Sequence, residues 1–426
     1  MEKKLQIEAL NYHHYPKPGK ISIQATKPLA SQADLSLAYS PGVAEPCLAI
    51  SDQPISAAKY TSRSNLVGVI TNGTAVLGLG NIGPLAAKPV MEGKAVLFKH
   101  FADVDAFDIE VDELDVENFC DTVVRLEPTF GGINLEDIKA PECFAIEENL
   151  RERMKIPVFH DDQHGTAIVA CAAVLNALKI VNKSIDEIKL VVSGAGAAAI
   201  ACTNLLLSLG IKPHNTLMLD STGVIHSDRK NLSDIKKQYA IDTNARTLED
   251  AMDGCDLFLG VSQPNLISEK MLMSMANNPI ILAMANPTPE ISPEIVKRCR
   301  PDAIVATGRS DYPNQVNNVL CFPFLFRGAL DVGATKITES MKHACVIALA
   351  ELATKECPKH VEASYNGETL SFGADYILPK PFDTRLITSI APAVAKAAID
   401  AGVATLPFHC IDEYRESLLT KSHINA

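Results

Sequence analysis

The sequence has no tryptophan, and aromatic residues make up only 5% of its 426 positions. Its cores must therefore be built from Ala, Val, Ile and Leu, as α/β folds often are. No basic run occurs, and the net charge is −12. That balance argues against nucleic acid or an anionic membrane as partner, because both depend on Lys and Arg neutralising phosphate. A small anionic substrate is not excluded, since the local field matters more than the sum. Among eleven cysteines, from Cys47 to Cys410, no two form a C-x-x-C pair, which excludes a usual zinc ribbon or thioredoxin motif. Scattered thiols in so long a chain point to a reducing, cytoplasmic setting. The opening MEKKLQIEALNYHHYP has no apolar core behind its lysines, unlike a secretory signal. The 22 residues Leu190–Ile211 carry no charge and are long enough to span a bilayer. They include Ser193, Gly194, Gly196, Asn204 and Ser208, and they divide into a β-rich run and a helical run.

What is present is globular: 47% hydrophobic and 21% charged residues, at a length that suits two domains. The first forty residues are polar and broken by Pro16, Pro18 and Pro28, with Pro41 just after, so they read as extended or loosely helical. Buried strands are expected at Asn65–Ile70, Ala75–Leu79, Ala95–Lys99 and Ala106–Val111, with helices near Glu113–Glu127 and Glu142–Met154. A boundary falls around Pro157–Gly165, dividing residues 1–162 from 163–426. Beyond it, strands at Lys189–Ser193, Thr216–Asp220, Leu257–Val261, Ile280–Ala283 and Ala303–Ala306 alternate with helices, and one more helix is expected at Ile390–Ala401. That alternation means a doubly wound parallel sheet.

KLVVSGAGAAAIACTNLLLSLG is a strand, a Gly-x-Gly-x-x-Ala turn and a helix. In the turn (Gly194, Ala195, Gly196, Ala197, Ala198, Ala199), the first glycine permits the tight bend. The second lets the backbone approach a pyrophosphate, and the small Ala199 lets helix and strand pack closely. The helix N-terminus offers free N–H groups to the phosphates. Asp220 ends the next strand, where an acid hydrogen-bonds the ribose hydroxyls and favours NAD; Arg229, nine residues on, could instead meet the 2′-phosphate of NADP. The alternative is a glycine turn in a cofactor-free α/β protein.

Glu136-Asp137 and Asp161-Asp162 are adjacent acids that suit a hard divalent cation with oxygen ligands, Mg²⁺ or Mn²⁺. Otherwise Asp162 is a helix cap and Glu136-Asp137 are surface charges. His160 and His164 stand four apart but lack the H-E-x-x-H context of a zinc helix. Lys94, behind Gly93 at the edge of an expected strand, is a candidate base if apolar neighbours lower its pKa. Tyr39 precedes Ser-Pro-Gly, a turn that could project its phenol into a cleft.

Taken together, LAYSPGVAEPC (37–47), NGTAVLGLGNIGPLAAKPVMEGKAVLFK (72–99), GGINLEDIKAPECF (131–144), PVFHDDQHGTA (157–167), VVSGAGAAAIA (191–201) and SDYPNQVNNVLCFPFLFRGALDVGA (310–334) resemble the malic enzymes. The likeness is nearest to the malic-enzyme half of bacterial hybrid NADP-dependent forms, which implies a stand-alone small form or an excised half. It implies a Rossmann-type NAD(P) domain at 163–426 behind an α/β substrate and metal domain at 1–162. It further implies oxidative decarboxylation of L-malate to pyruvate, with NADP or NAD and Mg²⁺ or Mn²⁺, in a homodimer or larger homo-oligomer. Lys94 matches the family's general base and Tyr39 its general acid. Glu136, Asp137 and Asp162 match the metal ligands, with Asp161 beside them, and Asn286 and Asn318 match residues facing substrate and nicotinamide. One departure stands out. Large eukaryotic-type members carry a substrate-binding arginine just before L-G-L-G, where this chain has Thr74-Ala75-Val76. Arg63, Arg309 or backbone N–H groups are the substitutes. Rival readings are a plain 2-hydroxy-acid dehydrogenase, a malolactic-type enzyme, and a catalytically silent dinucleotide-binding regulator.

Overall fold

The computed structural model describes residues 2–408 and 410–422. Its fold is mixed α/β with two sheets. The first is fully parallel, in the order β2-β1-β3-β4, from β1 (Leu66–Thr71), β2 (Asp105–Glu110), β3 (Gly132–Leu135) and β4 (Val158–His160). The second runs β10-β9-β8-β5-β6-β7, from β5 (Leu190–Ser193), β6 (Thr216–Asp220), β7 (Gly223–Val224), β8 (Leu257–Gly260), β9 (Ile280–Ala283) and β10 (Ile304–Thr307). Only the β6–β7 pair is antiparallel. Four-residue strands buried along their whole length, such as LVVS and IILA, are what a sheet covered by helices on both faces requires. The uncharged stretch from Leu190 is thus β5 followed by the helix Ala197–Leu209. One continuous helical stretch, Asp161–Val181, is long and apolar enough to cross a membrane, but most of it is buried inside the fold, as in the core helix of a globular domain.

Two expected strands are absent. Ala95–Lys99 lies inside the helix Pro84–Ala102, whose buried residues Ala87, Met91, Ala95, Phe98 and Ala102 fall on one face at spacings of three and four. Lys94 is therefore mid-helix, not at a strand edge. Ala75–Leu79 is a loop, because Gly73, Leu77 and Gly80 all take positive φ, and left-handed residues cannot continue a ladder. The late helix begins earlier than expected, at Arg385.

The last hundred residues return to the first sheet. Phe322 and Phe326, on the helix Phe322–Asp331, meet Phe98 edge-on at 4.7 and 5.3 Å. Val67, Phe98, Phe159 and the helices Glu339–Ala353 and Arg385–Asp400 share one core cluster with β5 and β8. At the other end of the chain, the helices Gln32–Ala38 and Ala44–Asp52 bury no side chain.

Candidate active site

Both sheets present their chemistry at the carboxyl ends of the strands, where parallel α/β sheets bind ligands. Glu136 and Asp137 follow β3, and Asp161 and Asp162 follow β4. Asp137 sits at φ 55°, a left-handed turn that Asp tolerates better than most residues. The loop after β1 embraces it. Ala75 N–H donates to the Asp137 carbonyl (2.9 Å), and Thr74 Oγ1 accepts from Lys139 N–H (3.0 Å). The stretch that lacks an arginine thus holds a metal-ligand candidate in place.

Glu136, Asp137 and Asp162 bring one carboxylate oxygen each within 4.8 Å of one another. Burial and the neighbouring Asp162 push the Asp137 carboxyl up to about 7, and the same causes raise Glu136 well above the usual range, although Lys94 opposes them. Asp137 Oδ2 is buried with no hydrogen-bond partner. Three acids held at such a cost, with a buried oxygen unpartnered, fit a hard divalent cation completed by oxygens from water and substrate. The histidines do not join the set. His160 is fully buried with its nearest carboxylate oxygen, on Asp162, at 3.7 Å, and His164 Nε2 turns to Glu147 at 2.7 Å.

Lys94 Nζ pairs with Asp161 (2.6 Å) and Glu136 (2.9 Å) and lies 4.1 Å over the Phe322 ring. Burial drives its pKa down, but Asp161 and Glu136 outweigh it and hold the ammonium above the ordinary lysine range. The lowering expected from apolar neighbours does not occur, because two carboxylates stand where the sequence suggested only apolar side chains. Asn318 Nδ2 donates to Asp161 Oδ2 (3.0 Å), and its Oδ1 accepts from Thr166 (3.1 Å). Gly165 is obligatory, since a Cβ there would lie 2.0 Å from Asp161 Oδ1.

The structure thus brings together Lys94, Glu136, Asp137, Asp161, Asp162 and Asn318. It does not bring in Tyr39, which is 71% exposed at the end of the helix Gln32–Ala38. Asn286 is exposed in the loop after β9, with its side chain 3.0 Å from where a Gly308 Cβ would stand. Arg309, from the same rim, donates to the Pro287 carbonyl and pairs with Asp311. Arg63 is excluded as a substrate ligand. It precedes β1 and binds the Pro128 and Glu127 carbonyls at the opposite end of the sheet. The sequence reading missed two residues. Asn134 donates to Glu136 Oε2 (2.8 Å) from the same face of β3, a placement the two-residue spacing could have flagged. Glu147 lies on the buried face of the helix Glu142–Arg153, with Cys143, Ile146 and Leu150.

In the second sheet Gly194 has φ 123°, and a Cβ would meet the Val261 carbonyl at 2.9 Å. Gly196 caps the helix Ala197–Leu209 with open space where a Cβ would project, and Ala199 is buried against the strand. Ala195, Ala197 and Ala198 are half-buried around that space. Both oxygens of Asp220 are already engaged. Arg229 takes them bidentately at 2.9 and 3.0 Å, and Lys236 adds a contact at 2.7 Å. Burial opposes the charge, but these cations hold the carboxyl far below its usual range.

Such a turn on a doubly wound sheet marks a Rossmann-type dinucleotide-binding protein. Residues 18–151 match the malic enzyme N-terminal domain, and residues 163–364 match the malic enzyme NAD binding domain. The chain belongs to the malic enzyme family. It is 62% identical over 420 residues to the NADP-dependent malic enzyme of Escherichia coli, covering 98% of this chain and 55% of that one. To the NADP-dependent malic enzyme of Halomonas elongata it is 56% identical, covering 94% and 95%. The crystal structure of malic enzyme from Pyrococcus horikoshii superposes with a TM-score of 0.88 at 42% identity, covering 98% and 96%. The chain spans about half the length of the first curated relatives it matches. Relatives named for NADP and for NAD both occur at 59% identity or above.

Proposed function

We propose that the chain oxidises and decarboxylates L-malate to pyruvate and CO₂, with NADP⁺ and Mg²⁺ or Mn²⁺. One observation carries this reading: the Asp161–Gly165 turn, which brings Asp162 to the acid cluster, packs on the helix that opens behind Gly196. A hydroxy acid chelated at the cluster therefore lies beside the dinucleotide turn. When bound, the metal would supply Lewis-acid stabilisation of the charge left as CO₂ departs, and the dinucleotide would supply the hydride acceptor. Glu136, Asp137 and Asp162 hold the cation. Lys94 takes the C2 hydroxyl proton. Positive charge brought to Glu136 offsets the countercharge that keeps Lys94 protonated. Asp161 and Asn318 fix where its amine points, and Asn286, with Arg309 behind it, lines the substrate side. Tyr39 protonates C3.

Tyr39 is exposed, along with Leu35, Leu37 and Leu48 on its arm, and so are Leu77 and Leu79 on the loop beside the cluster and Leu85 at the start of the helix that follows it. Apolar surface on that scale marks an interface. We read the working form as a homodimer or larger homo-oligomer in which the arm docks and Tyr39 is brought to its place. Eleven free cysteines suit a cytoplasmic enzyme.

The deciding experiment incubates the chain with malate, Mn²⁺ and either dinucleotide. Pyruvate and NADPH are expected in equal amounts. Lactate with no net NADPH would make it a malolactic enzyme, and no turnover would leave a silent binder. NADP⁺ is expected to give the higher kcat/KM, because Asp220 is spent on Arg229 and Lys236, and two cations against one acid leave net positive charge for a 2′-phosphate. Lys236→Ala is accordingly expected to raise KM for NADP⁺ about tenfold, the loss of one charge-assisted contact, with KM for NAD⁺ unchanged. Equal effects on both dinucleotides would take Lys236 out of the phosphate site.

A further inference from the structure

The Asp161–Gly165 turn has two sides. One carries Asp161, bound to Lys94 and Asn318, and Asp162, at the acid cluster. The other carries Gln163 and His164, and both of these side chains run to one carboxylate. Glu147 Oε2 accepts from Gln163 Nε2 at 3.1 Å, and Glu147 Oε1 meets His164 Nε2 at 2.7 Å. Behind His164, Nδ1 faces Lys342 Nζ at 3.4 Å. An ammonium only donates, so Nδ1 is the acceptor and Nε2 carries the proton given to Glu147. Lys342 is buried on the helix Glu339–Ala353 and pairs with Glu339 at 2.5 Å. Glu147 itself is 6% exposed. A buried carboxylate with both oxygens committed to one five-residue turn leaves that turn little freedom to rotate. The cluster feels any such rotation, because Asp162 Oδ2 accepts from Asp137 N–H at 2.8 Å.

We infer that Glu147 is a positioning residue of the metal site: through Gln163 and His164 it sets the orientation of the turn that carries Asp162, and so sets the affinity for the divalent cation. This rests on the metal role proposed above. Glu147 belongs to neither the acid cluster nor the Gly194–Ala199 turn. Its loss therefore weakens the cation far more than the nucleotide, whereas general loss of structure weakens both alike. Residues that orient metal ligands from behind typically change affinity 10–100-fold when replaced.

The test uses the full chain and Mn²⁺. Binding is read by the electron paramagnetic resonance of free Mn²⁺, and NADP⁺ affinity by fluorescence titration. Glu147→Gln keeps the shape but puts an amide N–H₂ against a donor. It is expected to raise the Mn²⁺ dissociation constant tenfold or more, with NADP⁺ affinity within twofold and kcat largely recovered at saturating Mn²⁺. Glu147→Asp, which keeps the charge, should recover part of the loss. Should Glu147→Gln fail to fold, Gln163→Met decides. It removes one of the two bonds and should raise the constant about threefold or more. A folded variant that binds Mn²⁺ as the parent does, or one that loses NADP⁺ and Mn²⁺ equally, overturns the inference. Failure of the parent chain itself to bind Mn²⁺ would instead overturn the metal assignment beneath it.

Discussion

Asp162→Ala is expected to abolish malate turnover, with NADP⁺ affinity staying within about twofold. The carboxylate is one of three converging on the same point, and removing an anionic ligand from a Lewis-acid site costs several kcal/mol, or roughly three orders of magnitude in rate. The loop proposed to hold the pyrophosphate is a different one, Gly194–Ala199, with its own glycine geometry. Dinucleotide affinity therefore serves as the internal control. Isothermal titration with NADP⁺ beside an NADPH assay at limiting Mn²⁺ checks both halves. Normal activity at limiting Mn²⁺ would remove Asp162 from the metal site, and parallel loss of nucleotide binding would mean that the turn had collapsed.

Lys94→Ala and Tyr39→Phe are expected to fail at different steps. The lysine is assigned the proton that leaves with or before the hydride, so its loss should stop NADPH formation by roughly 10²–10⁴-fold. It also strips Glu136 and Asp161 of their common cation. A buried pair broken on one side is strongly destabilising, so the variant must be assayed with Mn²⁺ present throughout. Oxaloacetate supplied directly bypasses the hydride step, and the lysine variant should keep more of its oxaloacetate decarboxylation than of its malate oxidation. Tyr39→Phe keeps the ring and loses only the hydroxyl. It should slow protonation at C3, read as exchange of the pyruvate methyl protons with deuterated water. Exchange at the parent rate would end the assignment of Tyr39 as the acid. The phenol is exposed at the end of a helix that buries nothing, so folding stability should not change, and the exchange rate reports chemistry alone.

The strands of the second sheet were the most legible part of the chain. Thr216–Asp220 and Ile280–Ala283 fall where the apolar runs put them, because short buried strands bounded by turn residues leave little choice of end. The first sheet was harder to read. AVLFK is apolar enough for a strand, and only the wider spacing Ala87, Met91, Ala95, Phe98, Ala102 shows that it belongs to a helix. That single misreading also gave Lys94 the wrong electrostatic surroundings. A lysine on a helix packed against β1 and β2 reaches across to Glu136 and Asp161, which follow β3 and β4, whereas one at a strand edge need not. The acid cluster was visible as adjacent pairs, but not what holds it. Glu147 reads along the chain as one charge in a charged helix, and its role depends on a turn sixteen residues away. Tyr39 carries little local signal beyond the turn that follows it; its motif marked it, and its surroundings within one chain do not explain it.

The return of the late helices to the first sheet has a bearing on how the chain is made. Phe98 is covered by Phe322 and Phe326, which leave the ribosome more than 200 residues later. At typical rates of synthesis that interval lasts roughly ten to forty seconds. Throughout it, the part of Phe98 that these two rings cover stays open on a nascent parallel sheet, the kind of surface that aggregates or recruits chaperones. The contact that steadies the ring beneath Lys94 in the finished chain is thus among the last its first sheet acquires, and slow production of soluble protein is the consequence to expect when Phe322 or Phe326 is replaced.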